Sequence, residues 1–449
     1  MTEEIEKQNV RHLLFVDFGI EPEKAKAYLE SLDKHPEKVE EVSRLLMKNL
    51  SEQYEAVKEK TQNELVILAK DRASAWRELI GPLSIPELVA MNKQWDIPVD
   101  SILDRKVTPE LIKQMLDTSV IGQEDYKINL SVAFYTYYMH RRRAGLRLPK
   151  SNLLVVGPSG SGKTYGMQVL SKLFHIPFIV IHCNNLVQEG IVGPGLTDGF
   201  TQLLQQGWQK EEIEHAVVCF DEFDKLFEKN QSGEESGRYN SRVVNEMLNI
   251  IDDKGEEVFK ENFETRNMKQ IKLPTRKMMF VFTGDFNGLM DKKKKNIAPP
   301  ETPKVRKIGF RVQEEPPTTI PMPVIVDEDP TDDDFLEFGV KSEILGRVQN
   351  FVFLNELTED DLVALFDLGD FSPFSEFEQY FSCNGINAIL TEEGKRTLAK
   401  IACQRKLGVR GLSGLLKKVL TEDMFDLDVG ESNVLEITKQ YILDNLNKK

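Results

Sequence analysis

Apolar positions change their period along the chain, and each change marks a different kind of structure. Up to about residue 100 they recur at helical spacing, as in EKAKAYLESL and VEEVSRLLMKNLSEQYEAVKEK, with charged residues between them and few glycines. This predicts a separate helical domain over residues 1–105, whose charge-rich faces read as solvated surface. Next come a turn-like IPVD, the segment VTPELIKQMLDTSVIGQ, and a long helical stretch NLSVAFYTYYMHRRR. The aromatic stripe Phe134, Tyr135, Tyr137 and Tyr138 reads as core rather than as a platform for stacking bases.

The pattern then alternates between short apolar runs and amphipathic helical segments. NLLVV, IPFIVIHC, AVVCF and MMFVFTG are the strands, and their rhythm predicts an α/β fold, a parallel sheet with helices on both faces, over residues 106–335. Between Asp291 and Asp334 the composition turns to KKKKNIAPPETPKVRKIGFRVQEEPPTTIPMP and DEDPTDDD. A Pro-rich, charge-blocked stretch of this kind buries no core, so 291–334 is expected to be a flexible loop. FLEFGVKSEILGRV follows and leads to helical segments starting at the cap-like Thr358 and Thr391, a smaller, mainly α domain over 336–449. A chain of 449 residues is long enough for such a division and too long for one compact fold.

Composition narrows the function. The formal net charge of −15 argues against bulk binding to nucleic acid. The acidic start MTEEIEKQNVRH lacks a signal-peptide profile and no apolar run reaches bilayer length, so a soluble cytoplasmic protein without membrane contact is expected. Cys183, Cys219, Cys383 and Cys403 are scattered and read as buried reduced thiols, and the histidines show no zinc-like spacing.

GPSGSGKT, Gly157 to Thr164, follows an apolar run and opens a helical pattern, the context a phosphate-binding loop requires. Gly157, Gly160 and Gly162 let the backbone wrap phosphates, with Pro158, Ser159 and Ser161 between them and Tyr165 following. Lys163 reaches the β and γ oxygens, and Thr164 holds Mg²⁺. HAVVCFDEFDK adds acids at the end of a strand: Asp221 for the Mg²⁺ shell and Glu222 to polarise the attacking water. FTGDF ends the next strand, where Thr283 or Asp285 either senses the γ-phosphate or caps a turn. These residues favour ATP hydrolysis with Mg²⁺ over passive binding.

With these motifs in view, the chain resembles the ClpX family of AAA+ unfoldases from about residue 107 to about 430. The resemblance implies that Val120 and Ile121, in TPELIKQMLDTSVIGQ, face the adenine. In FGVKSEILGRV it implies that Arg347 is an arginine finger reaching the γ-phosphate of a neighbouring subunit, and in LGVRGL that Arg410 is a second sensor on phosphates of its own chain. An arginine acting in trans requires assembly, and the resemblance implies a homo-hexameric ring. EGIVGPG places Gly190, Ile191, Val192 and Gly193 at the family's substrate-gripping pore loop, with Ile191 where the family has an aromatic. KIGFRV places Ile308, Gly309 and Phe310 at the tripeptide that docks on the ClpP peptidase. The family's Cys-rich zinc-binding N-terminal domain has no counterpart here.

The resemblance implies an ATP-driven unfoldase that threads protein substrates and delivers them to a ClpP-like peptidase. Two other readings stay open: a remodelling chaperone without peptidase, and a nucleotide-switched scaffold or loader on nucleic acid. Only the basic runs Arg141–Arg143 and Lys292–Lys295 support the last.

Overall fold

The computed structural model describes residues 62–447 apart from 80, 144–147, 149–150, 187–195, 197, 228–233, 253–255, 262–268, 288, 290–329, 349, 369–371, 406 and 428–432. Helices α1 (Gln62–Leu79) and α2 (Ile85–Trp95) and a one-turn helix Val99–Ile102 lead to α3 (Pro109–Asp117) and α4 (Glu124–Arg142). Then follow β1 (Leu153–Val156), α5 (Tyr165–Leu173), β2 (Phe178–His182), α6 (Asp198–Gln205), β3 (Val217–Asp221) and α7 (Glu234–Ile251). The antiparallel pair β4 (Glu256–Glu261) and β5 (Lys269–Pro274) precedes β6 (Met279–Gly284). Further along the chain come α8 (Asp332–Phe338), a one-turn helix Ser342–Leu345, and β7 (Asn350–Phe353). The chain ends with α9 (Glu359–Ala364), α10 (Ser375–Cys383), β8 (Asn387–Leu390), α11 (Glu392–Gln404), α12 (Gly408–Asp426), β9 (Val434–Ile437) and α13 (Lys439–Asn447).

The five-stranded sheet runs β2-β3-β6-β1-β7, all parallel. Its central strands are apolar on both faces because helices cover both. Leu153, Val155, Val217 and Val281 point into one core with residues of α1 to α5, while Leu154, Val156, Phe220 and Phe282 point into a second with α6, α7 and α8. Phe220 and Phe282 stack with centroids 5.3 Å apart, and each large side chain buried in this way contributes about 1.5–3 kcal/mol. Of the aromatic stripe on α4, Phe134, Tyr137 and Tyr138 are buried and Tyr135 partly so. Because the strands are parallel, β1, β3 and β6 all end at one rim, where the phosphate loop, Asp221 and Asp285 converge.

Two expected boundaries are corrected. Residues 62–105 do not form a separate domain: Ala69, Ala73, Trp76, Leu88 and Met91 share one core with Leu111, Phe134 and the sheet residue Leu153. The Asn92 side chain also donates to the Leu173 carbonyl at 3.2 Å, tying α2 to the end of α5. The helical period reveals an apolar stripe but not what it packs against. Nor does the small body begin at 336. Phe335, Val340, Ile344 and Val348 belong to the second sheet core, β7 pairs with β1, and the crossing comes after Leu354. A four-residue strand lying past a Pro-rich stretch gives too weak a pattern to announce itself.

The end of the expected loop is also helical. Asp332–Asp334 form the first turn of α8, capped by Thr331, whose side chain pairs with Asp334; acids suit the positive end of a helix. In the small body Leu362, Phe381, Leu398, Leu416 and Ile442 form a core of their own, and β8 and β9 add a short parallel ladder. Thr358 and Thr391 are caps, accepting from the Asp361 and Gly394 amides. Cys183 and Cys219 are buried and Cys403 partly so, but Cys383, at the last position of α10, is exposed, which corrects its expected burial; all of them are free thiols. Among the described residues no helix is long and apolar enough to cross a membrane.

Candidate nucleotide-binding site

The phosphate loop leaves β1 under tight steric control. Gly157 donates its N–H to the Gly284 carbonyl at 3.1 Å, and a Cβ here would fall 2.8 Å from that of Leu354. Gly160 and Gly162 take φ of 77° and 94°, the left-handed region open to glycine. Lys163 Nζ donates to the carbonyls of Gly157 at 2.6 Å and Pro158 at 2.9 Å. Tyr126 of α4 donates to the Lys163 carbonyl at 2.9 Å, bracing the loop from behind. Burial pushes the Lys163 ammonium below its usual range, while Asp285, Asp221 and Asp224 act in the opposite direction. Ser161 Oγ is buried without a hydrogen-bond partner, a donor left for an anion at a cradle already carrying backbone N–H groups.

Across the cleft, Asp221 ends β3. Its Oδ1 accepts from Thr283 Oγ1 at 2.5 Å, and its Oδ2 lies 3.6 Å from His182 Nδ1, beyond hydrogen-bond range. The parallel register sets His182 opposite Asp221. Glu222 turns sharply off the strand at φ 55°, a conformation costing a side-chain-bearing residue roughly 1–2 kcal/mol, and it lines the cleft beside Asp221. The two candidate sensors part company. Asp285 lines the cleft, whereas Thr283 is fully buried behind Asp221, so its hydroxyl acts on that carboxylate. Asp224 also lines the cleft although it is 1 % exposed; neither of its oxygens has a hydrogen bond, and Lys225 Nζ lies 3.4 Å away.

The opposite wall comes from the α3–α4 loop and the small body. Val120 and Ile121 face Leu357, Leu365 and Leu368 to make an apolar end. The side chain of Gln123 donates to the Asn355 carbonyl at 2.8 Å and accepts from its amide at 3.0 Å, clasping the segment where the chain crosses between bodies. Gly408, at φ 57°, brings α12 onto the phosphate loop; a Cβ there would lie 3.0 Å from Gly160, whose carbonyl accepts from Val409 N–H at 3.4 Å. Arg410, in the first turn of α12, is exposed and lines the cleft, and its charge disfavours a second cation on Lys163. The cleft has a volume of about 730 Å³, apolar at one end and built for anions at the other, which suits a nucleoside polyphosphate.

The sequence profile of the ATPase family associated with various cellular activities (AAA) matches residues 153–292, from β1 past β6. Among curated proteins, the ATP-dependent Clp protease ATP-binding subunit ClpX of Azotobacter vinelandii is 29% identical over 71% of this chain and 74% of its own length. The ClpX subunits of Porphyromonas gingivalis and Treponema denticola are 28% and 27% identical, over 76% and 71% of this chain and 82% and 77% of their own. The chain is thus similar to ClpX subunits over about three quarters of its length, around an AAA ATPase segment.

Most of the expected site residues lie together in one cleft: Ser159 to Tyr165, Val120, Ile121, Asp221, Glu222 and Arg410. Gly157 and Pro158 stand behind the loop, with their carbonyls on Lys163. Arg347 does not line this cleft; its Nη1 donates to the Glu343 carbonyl at 2.6 Å and its Nη2 lies 3.3 Å from Asp252 Oδ2. Gly190 to Gly193 and Ile308 to Phe310 lie outside the described residues. Sequence reasoning missed His182 and Asp224. Neither carries a local signal, because strand register brings the first to Asp221 and the turn after Glu222 buries the second.

Proposed function

We propose that this cleft hydrolyses ATP with Mg²⁺ and that the chain, in a hexameric ring, spends the energy on unfolding and threading polypeptides. The observation that carries the reading is the Asp221–Glu222 pair at the end of β3, facing the phosphate loop across one cleft. Val120 and Ile121 hold the base against the small-body leucines. The loop amides, Ser161 and Lys163 bind the phosphates. Thr164 and Asp221 would hold the Mg²⁺, which when bound would supply positive charge against the phosphates. Thr283 fixes Asp221 through Oδ1, so its remaining lone pairs face the cleft. Glu222 takes the proton of the attacking water. Asp285 is the cleft-facing group at the end of β6, Arg410 reports bound phosphate to the small body, and Arg347 serves a neighbouring subunit's site in trans.

Subunit mixing tests this reading. Glu222→Gln chains lack the base and Arg347→Ala chains lack the trans arginine, so each alone should turn over little ATP. Mixed rings should regain turnover at sites that combine an intact Glu222 with a neighbour's Arg347. Mixed rings that remain inactive would remove the trans assignment.

Delivery to a ClpP-like peptidase through Ile308, Gly309 and Phe310 completes the reading, supported by the tripeptide's sequence position between FTGDFNGL and FGVKSEILGR. A stand-alone remodelling chaperone is the second reading, favoured by Ile191 in the pore segment and by the α1–α2 layer built onto the ATPase core. ATP-dependent co-sedimentation with ClpP separates them. Binding lost on changing Ile308 and Phe310 to Ser supports delivery; no binding with ATPase intact supports the remodeller.

A further inference from the structure

Arg347 sits in a seat of its own. Its backbone carbonyl accepts from the Asn152 side-chain Nδ2 at 2.9 Å, and Oδ1 of the same side chain accepts from Phe280 N–H at 3.2 Å, so the residue hangs from the middle of the sheet. Asn152 is buried, and this connection leaves the Arg347 backbone little freedom. The side chain is different. It is about one-third exposed (33%), long, and rich in rotamers unless something directs it.

Two groups direct it. The Glu343 carbonyl takes Nη1 at 2.6 Å, and Asp252 brings Oδ2 to 3.3 Å from Nη2. Asp252 is the first residue past α7, its N–H still bonded to the Leu248 carbonyl, so its backbone is fixed to the end of that helix. A cation is also favoured there by the helix dipole. At 45% exposure on the acid, the ion pair adds little to stability. What it supplies is direction: with the fork held from two sides, its other N–H donors have a defined aim.

We propose that Asp252 is a positioning residue for Arg347, holding the guanidinium in the orientation from which it acts on a neighbouring subunit's nucleotide. The inference rests on the reading of Arg347 as acting in trans.

The test extends the mixing experiment. Arg347→Ala chains are mixed with Glu222→Gln chains, or with Glu222→Gln chains that also carry Asp252→Asn or Asp252→Glu, with ring assembly checked by sedimentation and folding by thermal melts. The Asp252→Asn donor should restore roughly tenfold to hundredfold less kcat than the Asp252 donor, the scale expected for a misplaced group. The ATP KM should be unchanged, because the binding site lies on the other chain, and Asp252→Glu should restore most of the rate. Complementation by Asp252→Asn as full as by Asp252, in mixed rings of equal assembly, overturns the inference while leaving Arg347 in trans. If even the Glu222→Gln and Arg347→Ala pair stays inactive in mixed rings, the trans reading fails and this inference falls with it.

Discussion

On the sheet side of the cleft Asp221, Lys163 and the start of the phosphate loop are held from behind. Thr283 fixes one oxygen of Asp221, Tyr126 braces the Lys163 carbonyl, and Gly157 is wedged between Gly284 and Leu354. On the small-body side the contact with the phosphate loop is backbone on backbone, Gly408 against Gly160 with a 3.4 Å hydrogen bond from Val409, and Arg410 stands exposed. The first wall is preorganised and the second is separable. Electrostatic catalysis gains from groups that do not reorganise during reaction, whereas a nucleotide switch needs a contact whose strength depends on the ligand. Lys163 and Arg410 make it so, since two cations facing one cleft repel until an anion lies between them.

The comparison breaks most visibly at the rigid wall. Glu222→Gln should lower kcat by about 10²–10⁴ while ATP affinity by calorimetry changes little, since the proposed role of the carboxylate is on water rather than on the nucleotide. Undiminished turnover would end its assignment as the base. Thr283→Val comes next. It preserves shape but removes the donor to Asp221 Oδ1 and should cost roughly 10–100-fold in Mg²⁺ affinity read from the metal dependence of turnover. Thr283→Ser should recover most of the loss. A drop in melting temperature with unchanged metal dependence would make Thr283 a packing residue only.

How much of this was legible depended on distance along the chain. The strands, the phosphate loop and the DE pair are local patterns, and they could be read because parallel strands buried on both faces leave long apolar runs that end in their functional turns. What stayed hidden was made by tertiary packing. The α1 stripe Ala69, Ala73 and Trp76 was visible as helix, yet that it covers the ATPase core was not. Asp252 carries no local signal, and its pairing with Arg347, many residues later, exists only because α7 and the segment before β7 meet beside the sheet. Thr283 and Asp285 were equivalent in FTGDF, and the end of the strand separates them: Thr283 lies within β6 and is fully buried, whereas Asp285 follows the strand and lines the cleft.

At the separable wall the expected effect is smaller and of another kind. Gly408→Ala forces a side chain into φ 57° and puts its Cβ 3.0 Å from Gly160. A strain of about 1–2 kcal/mol, roughly 5- to 30-fold, should appear in ATP affinity with kcat at saturation largely kept. If Gly408→Ala instead lowers kcat as far as Glu222→Gln does, the two walls form one catalytic unit and the distinction fails.

The smallest effect probes how closed the rigid wall is. Cys219 lies behind it, its sulfur 4.0 Å from Thr283 Oγ1, and burial pushes the thiol up to about 12. The unfolded chain, with an ordinary thiol near 9, releases that proton first. Burial of the neutral thiol therefore contributes stability that is fully present below about pH 9 and declines as pH rises towards 12. Cys219→Ala should accordingly show a shallower fall of melting temperature above about pH 9 than the parent chain. Near neutral pH, exposed Cys383 should react with an alkylating reagent while Cys219 stays protected with or without nucleotide. Rapid modification of Cys219 in the folded protein would mean that β3 and β6 open to solvent, and a wall that opens cannot hold Asp221 still.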